Sequence, residues 1–347
     1  MFEIVVGLCL LSNPDVCRAH LVPGPVFEAR VTCEQVLLAT GEAFGAKFEG
    51  VLAVGEPKCQ PLGAGLLLTK VSDGVYVHKG AVDEPSPENH GDVANLGVVI
   101  GNSSIAVVDT GGSRAVGEQL YRAIRQLSPL PISHVVLTHM HPDHVLGASV
   151  FVEVGAVIIA HPGLRRALLD RQQNYLTGFE NLIQPADFIG TTVALPTKGD
   201  LPENIDLGGR VLQLRAWPIS HTSTDITVYD AQSGTLFAGD LVFDHHAPAL
   251  DGSLVGWISV LKEMSSLKVR YLIPGHGGPI LKHPDGLIPL LNYLQILEAE
   301  TRQALANGER LGEAAVHVGQ SEAGNWDLFE VFNHRNATAA YTELEWD

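Results

Sequence analysis

The chain has 347 residues, 46% hydrophobic and 18% charged, a length that suits two domains or one large one with an extensive core. Its 22 Lys+Arg against 39 Asp+Glu give a formal net charge of -17, and no basic run occurs, which argues against nucleic acid or an anionic membrane surface as a partner. No uninterrupted apolar stretch reaches the roughly eighteen residues that span a bilayer, so a soluble protein without membrane insertion is expected.

Residues 2–11, FEIVVGLCLL, read as a strand, after which Asn13-Pro14-Asp15 turns the chain. Beyond Pro23-Gly24-Pro25, residues 26–43 have helical spacing, with Val31, Gln35 and Leu38 near Cys33 on neighbouring turns. All four cysteines, Cys9, Cys17, Cys33 and Cys59, fall at or before residue 59, and none is spaced as a CxxC pair. An even count in so short a segment points to two disulfides of open pairing and to an oxidising compartment; four reduced, buried thiols in a cytosolic protein are the alternative. The first twelve residues carry Glu3 and no Lys or Arg, the reverse of an export signal. The expectation is therefore a mature exported chain whose signal has been removed, with Met1 a starter. A boundary near Gln60-Pro61-Leu62-Gly63 divides the chain into a small module, residues 1–63, and a larger domain, residues 64–347. The small module buries little core alone, which is where disulfides help, and it serves either as a docking or substrate-rim unit or as a stabilising appendage.

From Leu66 the texture changes. A strand pair is predicted around Ser72-Asp73-Gly74, then a polar loop over residues 83–91, then a hairpin of residues 94–100 and 104–109 through Gly101-Asn102. Residues 115–127 form an amphipathic helix, 133–137 a strand, and 156–160 another, followed by a helix opening at Pro162. Residues 211–217 are a strand, 226–238 a hairpin about Gln232-Ser233-Gly234, 256–267 a helix and 269–273 a strand. Helices over 289–306 and 333–344 close the chain. The two halves repeat an order of strands, hairpin, helix and strand, which predicts an α/β architecture of two sheets face to face with helices outside.

The densest chemistry lies in Thr138-His139-Met140-His141-Pro142-Asp143-His144, where an apolar strand ends and three imidazoles and a carboxylate follow within six positions. That clustering of N and O donors suits a divalent cation such as zinc. Three further donors stand where apolar strands end: His221 after Ile219-Ser220, Asp240 after Ala238-Gly239, and His276 after Pro274-Gly275. Small residues there let the backbone turn sharply and hold each side chain on a rigid strand.

The blocks THMHPDHVLG, SHTSTDITV, FAGDLVF and PGHGGP resemble, in order, the successive motifs of the metallo-β-lactamase superfamily of hydrolases, over about residues 66–347. The resemblance implies an αββα four-layer sandwich, preceded here by the Cys-bearing module, with the site along one edge of the sheets. It implies one metal held by His139, His141 and His221, a second held by Asp143, His144 and His276, and Asp240 bridging both. Asp240 stands where zinc β-lactamases carry Cys or Ser, and a carboxylate there is the pattern of glyoxalase-II-like thioesterases and lactonases. HxHxDH in place of HxExD argues against flavodiiron oxygen reductases. The Cys-bearing head, residues 250–254 and the closing segments 335–339 and 343–346 are similar to the quinoprotein relay system zinc metallohydrolases and relatives associated with sulfur oxidation. That narrower likeness implies export to the periplasm and association with quinoprotein dehydrogenases.

The chemistry implied is hydrolysis of an ester, thioester, lactone or amide of a small molecule by water activated between two zinc ions, with Asp143 orienting the nucleophile and moving its proton. Iron or manganese suits the same donors. Asp109 is expected as an acceptor behind the imidazoles, with a helix-capping role the alternative, and Thr138 and Ser220, each just before a ligand, are expected to support the imidazoles or shape the turn and not to react. His245 and His246 read as exposed loop histidines, with lining of the substrate rim the alternative; Trp257 reads as core and His161 as structural. Specificity is expected from rim loops at 80–92, 172–190 and 244–256. The small module would supply a protein-partner surface. GxSxG is absent and the cysteines are remote, so no nucleophile of that kind competes. Two alternatives share the ligands: a mononuclear iron dioxygenase acting on a persulfide, and a non-catalytic metal-bearing relay module.

Overall fold

The computed structural model describes residues 1–197 and 199–346; the end assigned to the larger domain, Asp347, lies outside them. A first sheet has the order β2-β1-β3, from β1 (Phe2–Leu10), β2 (Asn13–Leu21) and β3 (Leu52–Pro61), with α1 (Arg30–Gly45) packed on it. Cys9–Cys17 ties β1 to β2 at directly paired positions, and Cys33–Cys59 ties α1 to β3. Both disulfides are thus present, as an oxidising compartment would favour.

The expected turn at Asn13-Pro14-Asp15 is instead the start of β2, and β3 was not foreseen. Neither strand alternates apolar with polar residues; both are edge strands containing proline, and a sequence pattern of burial is weak there. On α1, Cys33 is buried, but Val31 and Leu38 are 60% and 64% exposed, so the apolar side expected around the cysteine faces outward.

The second sheet runs β4-β5-β6-β7-β8-β9, from β4 (Thr69–Ser72), β5 (Val75–His78), β6 (Leu96–Ile100), β7 (Ile105–Val108), β8 (Ile132–Leu137) and β9 (Val157–Ala160). The third runs β10-β11-β12-β13-β14, from β10 (Asn204–Asp206), β11 (Val211–Ala216), β12 (Ile226–Asp230), β13 (Thr235–Phe243) and β14 (Tyr271–His276). Each begins as an antiparallel meander and adds a parallel strand through a crossover helix: α2 (Arg114–Leu127) between β7 and β8, and a second one, residues 254–264, between β13 and β14. The helices beside the second sheet are α2, α3 (Pro142–Val145), α4 (Ser149–Val152), α5 (Leu164–Ile183) and α6 (Pro185–Phe188). Beside the third lie α7 (Leu254–Met264), α8 (Ile288–Ala306), α9 (Leu311–His317) and α10 (Phe329–Leu344).

Strand side chains alternate between faces, and here both faces are buried. Val99, Val108 and Val136 join Val228, Phe237 and Ile273 in the core between the sheets. Their neighbours Val98, Val107 and Val135 pack outward against Val116, Leu120 and Ile124 of α2. On the other side Leu236 and Leu272 meet Trp257, Leu261 and Leu294. These three cores make the expected αββα sandwich. The rim segment expected as a loop at 172–190 is largely helical, in α5 and α6.

The first sheet is mounted on α2 mainly by buried charge. Glu118 accepts from Arg18 at 2.7 Å, His20 at 3.2 Å and Arg114 at 3.0 Å, and Glu3 accepts from Arg122 at 2.8 Å. Burial pushes the Glu118 carboxyl up, but the Arg18, His20 and Arg114 groups outweigh it and hold its pKa at about 2. Burial also keeps His20 below its ordinary value, so the two guanidiniums carry the charge balance.

Removing one member of such a cluster strands the others. Glu118→Ala should lower the free energy of chemical unfolding by about 3–5 kcal/mol. Because the folded value is depressed from 4.5, the carboxylate's contribution is complete above pH 4.5 and drains as pH falls toward 2. Glu118→Gln should lack that portion of the acid-unfolding profile.

Candidate metal centre

The chain leaves β8 at Leu137, and Thr138 to His141 run across the sheet edge into α3, where Pro142 occupies the first turn and Asp143 and His144 follow. His221 lies in the turn after β11, and His276 is the last residue of β14. Asp240 was expected just past a strand end, but β13 continues to Phe243 with a register shift between Gly239 and Phe243. That irregularity aims the carboxylate along the edge. Two glycines permit it: a Cβ on Gly275 would stand 1.9 Å from Asp240 Oδ1, and one on Gly239, at φ +53°, would stand 2.7 Å from Thr138 Oγ1.

All seven predicted donors converge in two groups, His139, His141, His221 and Asp240 in one and Asp143, His144 and His276 in the other. Asp240 faces both. Its Oδ2 lies 3.6 Å from His139 Nε2, 3.7 Å from His221 Nε2 and 3.3 Å from His276 Nε2, and its Oδ1 lies 3.1 Å from His144 Nε2. Asp143 Oδ2 is 3.3 Å from His276 Nε2 and 3.6 Å from His144 Nε2.

Behind the cluster, each imidazole turns its other nitrogen to a hydrogen-bond partner. His144 Nδ1 meets Asp109 at 2.9 Å, His276 Nδ1 the Val93 carbonyl at 2.9 Å, and His221 Nδ1 Asp225 at 3.4 Å. His141 uses Nε2, 3.3 Å from Asp251. Thr138 Oγ1 donates to Asp109, so its oxygen is left to accept from His139 Nδ1 at 3.0 Å. These oxygens accept, so each ring's proton points outward and a lone pair points in. His139 Nε2, His221 Nε2 and Asp240 Oδ1 are shut off from solvent without a hydrogen bond. Inward lone pairs beside two carboxylates are the donor set of a divalent cation site, and the residues fit such ions.

Charge tells the same story. Burial lowers His139 well below its ordinary value, with His144 adding to the effect. For His144 and His276 burial acts downward too, but Asp240 and its companion carboxylates outweigh it, placing His144 well above its usual range and His276 up to about 9. Asp143 and Asp240 are held down by the same histidines against burial. The pocket demands positive charge, and without a cation it takes protons.

The cluster floors a cleft of about 280 Å³. Residues 83–85, Phe179 and Leu182, and His246 and Ala249 contribute to its walls, so each of the three expected rim segments reaches it. His245 is exposed as expected, but His246 is buried, its ring 4.8 Å from His276 and 5.0 Å from Phe332. His246 Nδ1 donates to the Ala247 carbonyl, and burial followed by the neighbouring His276 holds its pKa at about 4. Trp257 is core and also abuts His221 at 5.2 Å, while His161 Nδ1 only accepts from the Gly163 amide. Asp109 does not cap α2, whose N-cap is Ser113; it holds the Thr138 amide, the Thr138 hydroxyl and His144 together. Asp225, Asp251 and the Val93 carbonyl are supports that the sequence reading does not name, whereas the rim alternative for His246 agrees with its place in the cleft wall. Asp225 had a local signal, four residues after His221 in SHTSTDITV, but Asp251 and Val93 lie far along the chain from the histidines they meet.

A family model described as the metallo-beta-lactamase superfamily matches residues 91–276. The chain belongs to the metallo-beta-lactamase superfamily. Membership together with this donor set makes it a metal-dependent hydrolase. Among solved structures it is similar to TMB-1, at 20% identity and a TM-score of 0.51 over 67% of this chain and 98% of that one. A metallo-beta-lactamase from Pontibacter korlensis matches at 21% and 0.52, over 66% and 99%. The sec-alkylsulfatase Pisa1 from Pseudomonas sp. matches at 18% and 0.59, over 81% of this chain and 50% of that one. These likenesses concern the fold.

Asp109→Ala should weaken zinc binding about 10–100-fold, measured by chelator competition. Asp251→Ala should do so less, through His141 alone. A cation must displace the protons on His144 and His276, so metal binding should release protons and tighten as pH rises toward 9. Titration calorimetry in buffers of different ionisation enthalpy would show the release.

Proposed function

We propose that this superfamily member holds two divalent cations, zinc in the first instance, and hydrolyses a carbonyl-type bond (ester, thioester, lactone or amide) in a small molecule. One ion would sit on His139, His141 and His221 and the other on Asp143, His144 and His276. The single observation that carries the reading is the Asp240 carboxylate, whose two oxygens lie within 3.7 Å of imidazoles from both groups. Iron or manganese also satisfies these donors. Bound there, the ions supply Lewis acidity and water ionised near neutral pH.

The chain's own residues do the rest. Asp143 stands between the cluster and the cleft, where its carboxylate can orient an incoming nucleophile and accept its proton. Phe179, Phe243 and Phe332 give the cleft apolar walls, and a substrate seated against them would displace water from the floor and strengthen the electrostatics there. His246 offers the cleft a neutral ring nitrogen that can accept a hydrogen bond from the substrate.

Residues 1–63 are read as a separate module and 64–347 as the hydrolase domain, working in the periplasm beside a quinoprotein dehydrogenase. Two disulfides support an oxidising compartment, and the outward Val31, Val36 and Leu38 of α1 support a protein partner. Residues 250–254 and the closing helix, which carried the narrower likeness, meet in space: Asn336 binds the Leu250 amide and the Pro248 carbonyl, and Glu343 binds Ser253.

Elemental analysis of protein purified without added metal should find two divalent ions per chain, and Asp240→Asn should lower that number. Thioesters, lactones, esters and β-lactams should be screened together, with activity lost to chelator and restored by zinc. One iron per chain with oxygen uptake on a persulfide would sink the hydrolytic reading.

A further inference from the structure

Among the described residues lining the cleft, Arg335 is the one Lys or Arg. It projects from α10, three residues after Phe332, so the two share a face about 4.5 Å apart along the helix axis. Phe332 fixes that face over the cluster, because its ring lies 5.0 Å from His246, which in turn lies 4.8 Å from His276. The helix cannot easily roll, since the next residue, Asn336, is buried and donates to both the Pro248 carbonyl and Tyr293 Oη. Arg335 itself has no hydrogen bond or ion pair to any described residue, although the chain carries a net charge of -17. Asp83 and Glu84 also line the cleft, yet neither is joined to it. An unpaired guanidinium over a floor that binds cations is arranged for an anion brought by the ligand, and a fork of parallel donors suits a carboxylate.

We propose that α10 is the selecting wall of this site, with Arg335 binding a carboxylate carried by the substrate at a distance from the bond that is cleaved. The assignment rests on the hydrolytic reading for the word substrate, but the anion subsite stands or falls separately. The negative rim at Asp83 and Glu84 repels the same group, so a carboxylated molecule enters with its charged end toward α10 and its reactive end toward the histidines. The cleft volume of about 280 Å³ limits the whole to a compact molecule.

Titration calorimetry on the zinc-loaded protein tests this with dicarboxylates from succinate to adipate against monocarboxylates of the same length, butyrate to hexanoate. Every member can place one carboxylate on the metals, so the comparison isolates the second. At least one dicarboxylate should bind about tenfold or more tighter than its monocarboxylate. Arg335→Ala should abolish that advantage and Arg335→Lys should keep part of it. No advantage in the wild type, or one that survives Arg335→Ala, overturns the proposal. Arg335 is exposed, so both variants should fold, and unchanged circular dichroism checks it. In parallel, the preference in kcat/KM for a thioester bearing a carboxylate over its uncharged analogue should fall about tenfold in Arg335→Ala. If the wild type cleaves none of the thioesters, lactones, esters and β-lactams while the dicarboxylate advantage depends on Arg335, the hydrolytic reading fails and the anion subsite remains.

Discussion

Asp240 is a carboxylate sealed into a space where four imidazole nitrogens stand within 3.7 Å of its oxygens. Burying an ionised group costs several kcal/mol unless opposite charge compensates it closely. Here the compensation comes from protons on His144 and His276 or from cations in their place. The surrounding architecture follows from that constraint. Gly275 must lack a side chain so that the carboxylate fits, β13 must break register so that it points along the edge, and each histidine must be anchored behind so that its lone pair faces inward.

Three helices carry the supports. Loop residues between β7 and α2 bring Asp109 to Thr138 and His144, and the same α2 receives the first sheet through Glu118 and Arg122. The disulfide-tied sheet therefore rests on the helix that leaves the metal-facing loop, with charge pairs of fixed geometry in place of a broad apolar face. Short α3 presents Asp143 and His144 within one turn. On the opposite side α10 holds the 248–254 loop through Asn336 and Glu343, and that loop places Asp251 behind His141. The closing helix is thus both a brace for one ligand and a wall of the cleft.

What could be read in advance tracks how local the physical signal is. The strands of the two large sheets alternate between two buried cores, so runs such as Val98-Val99 and Val135-Val136 are visible as continuous apolar segments bounded by turns. Each of the seven donors follows or lies in such a run and was legible for that reason. β2 and β3 were missed because their polar, proline-containing edges obey hydrogen bonding more than burial. For His246 the rim position stood only as the alternative to an exposed loop residue, because nothing in its neighbours announces Phe332 or the backbone pairing of residues 245–247 with Asp327.

By itself the sequence determined the donor types, their order and the strands that present them, because side-chain period and turn chemistry act over a few residues. Only the tertiary structure decided that one carboxylate faces both histidine groups, that Asp251 and the Val93 carbonyl stand behind rings far away in the chain, and that Arg335 overlooks the cleft. Those contacts come from the packing of two sheets and their outer helices, a long-range fit that no local pattern encodes.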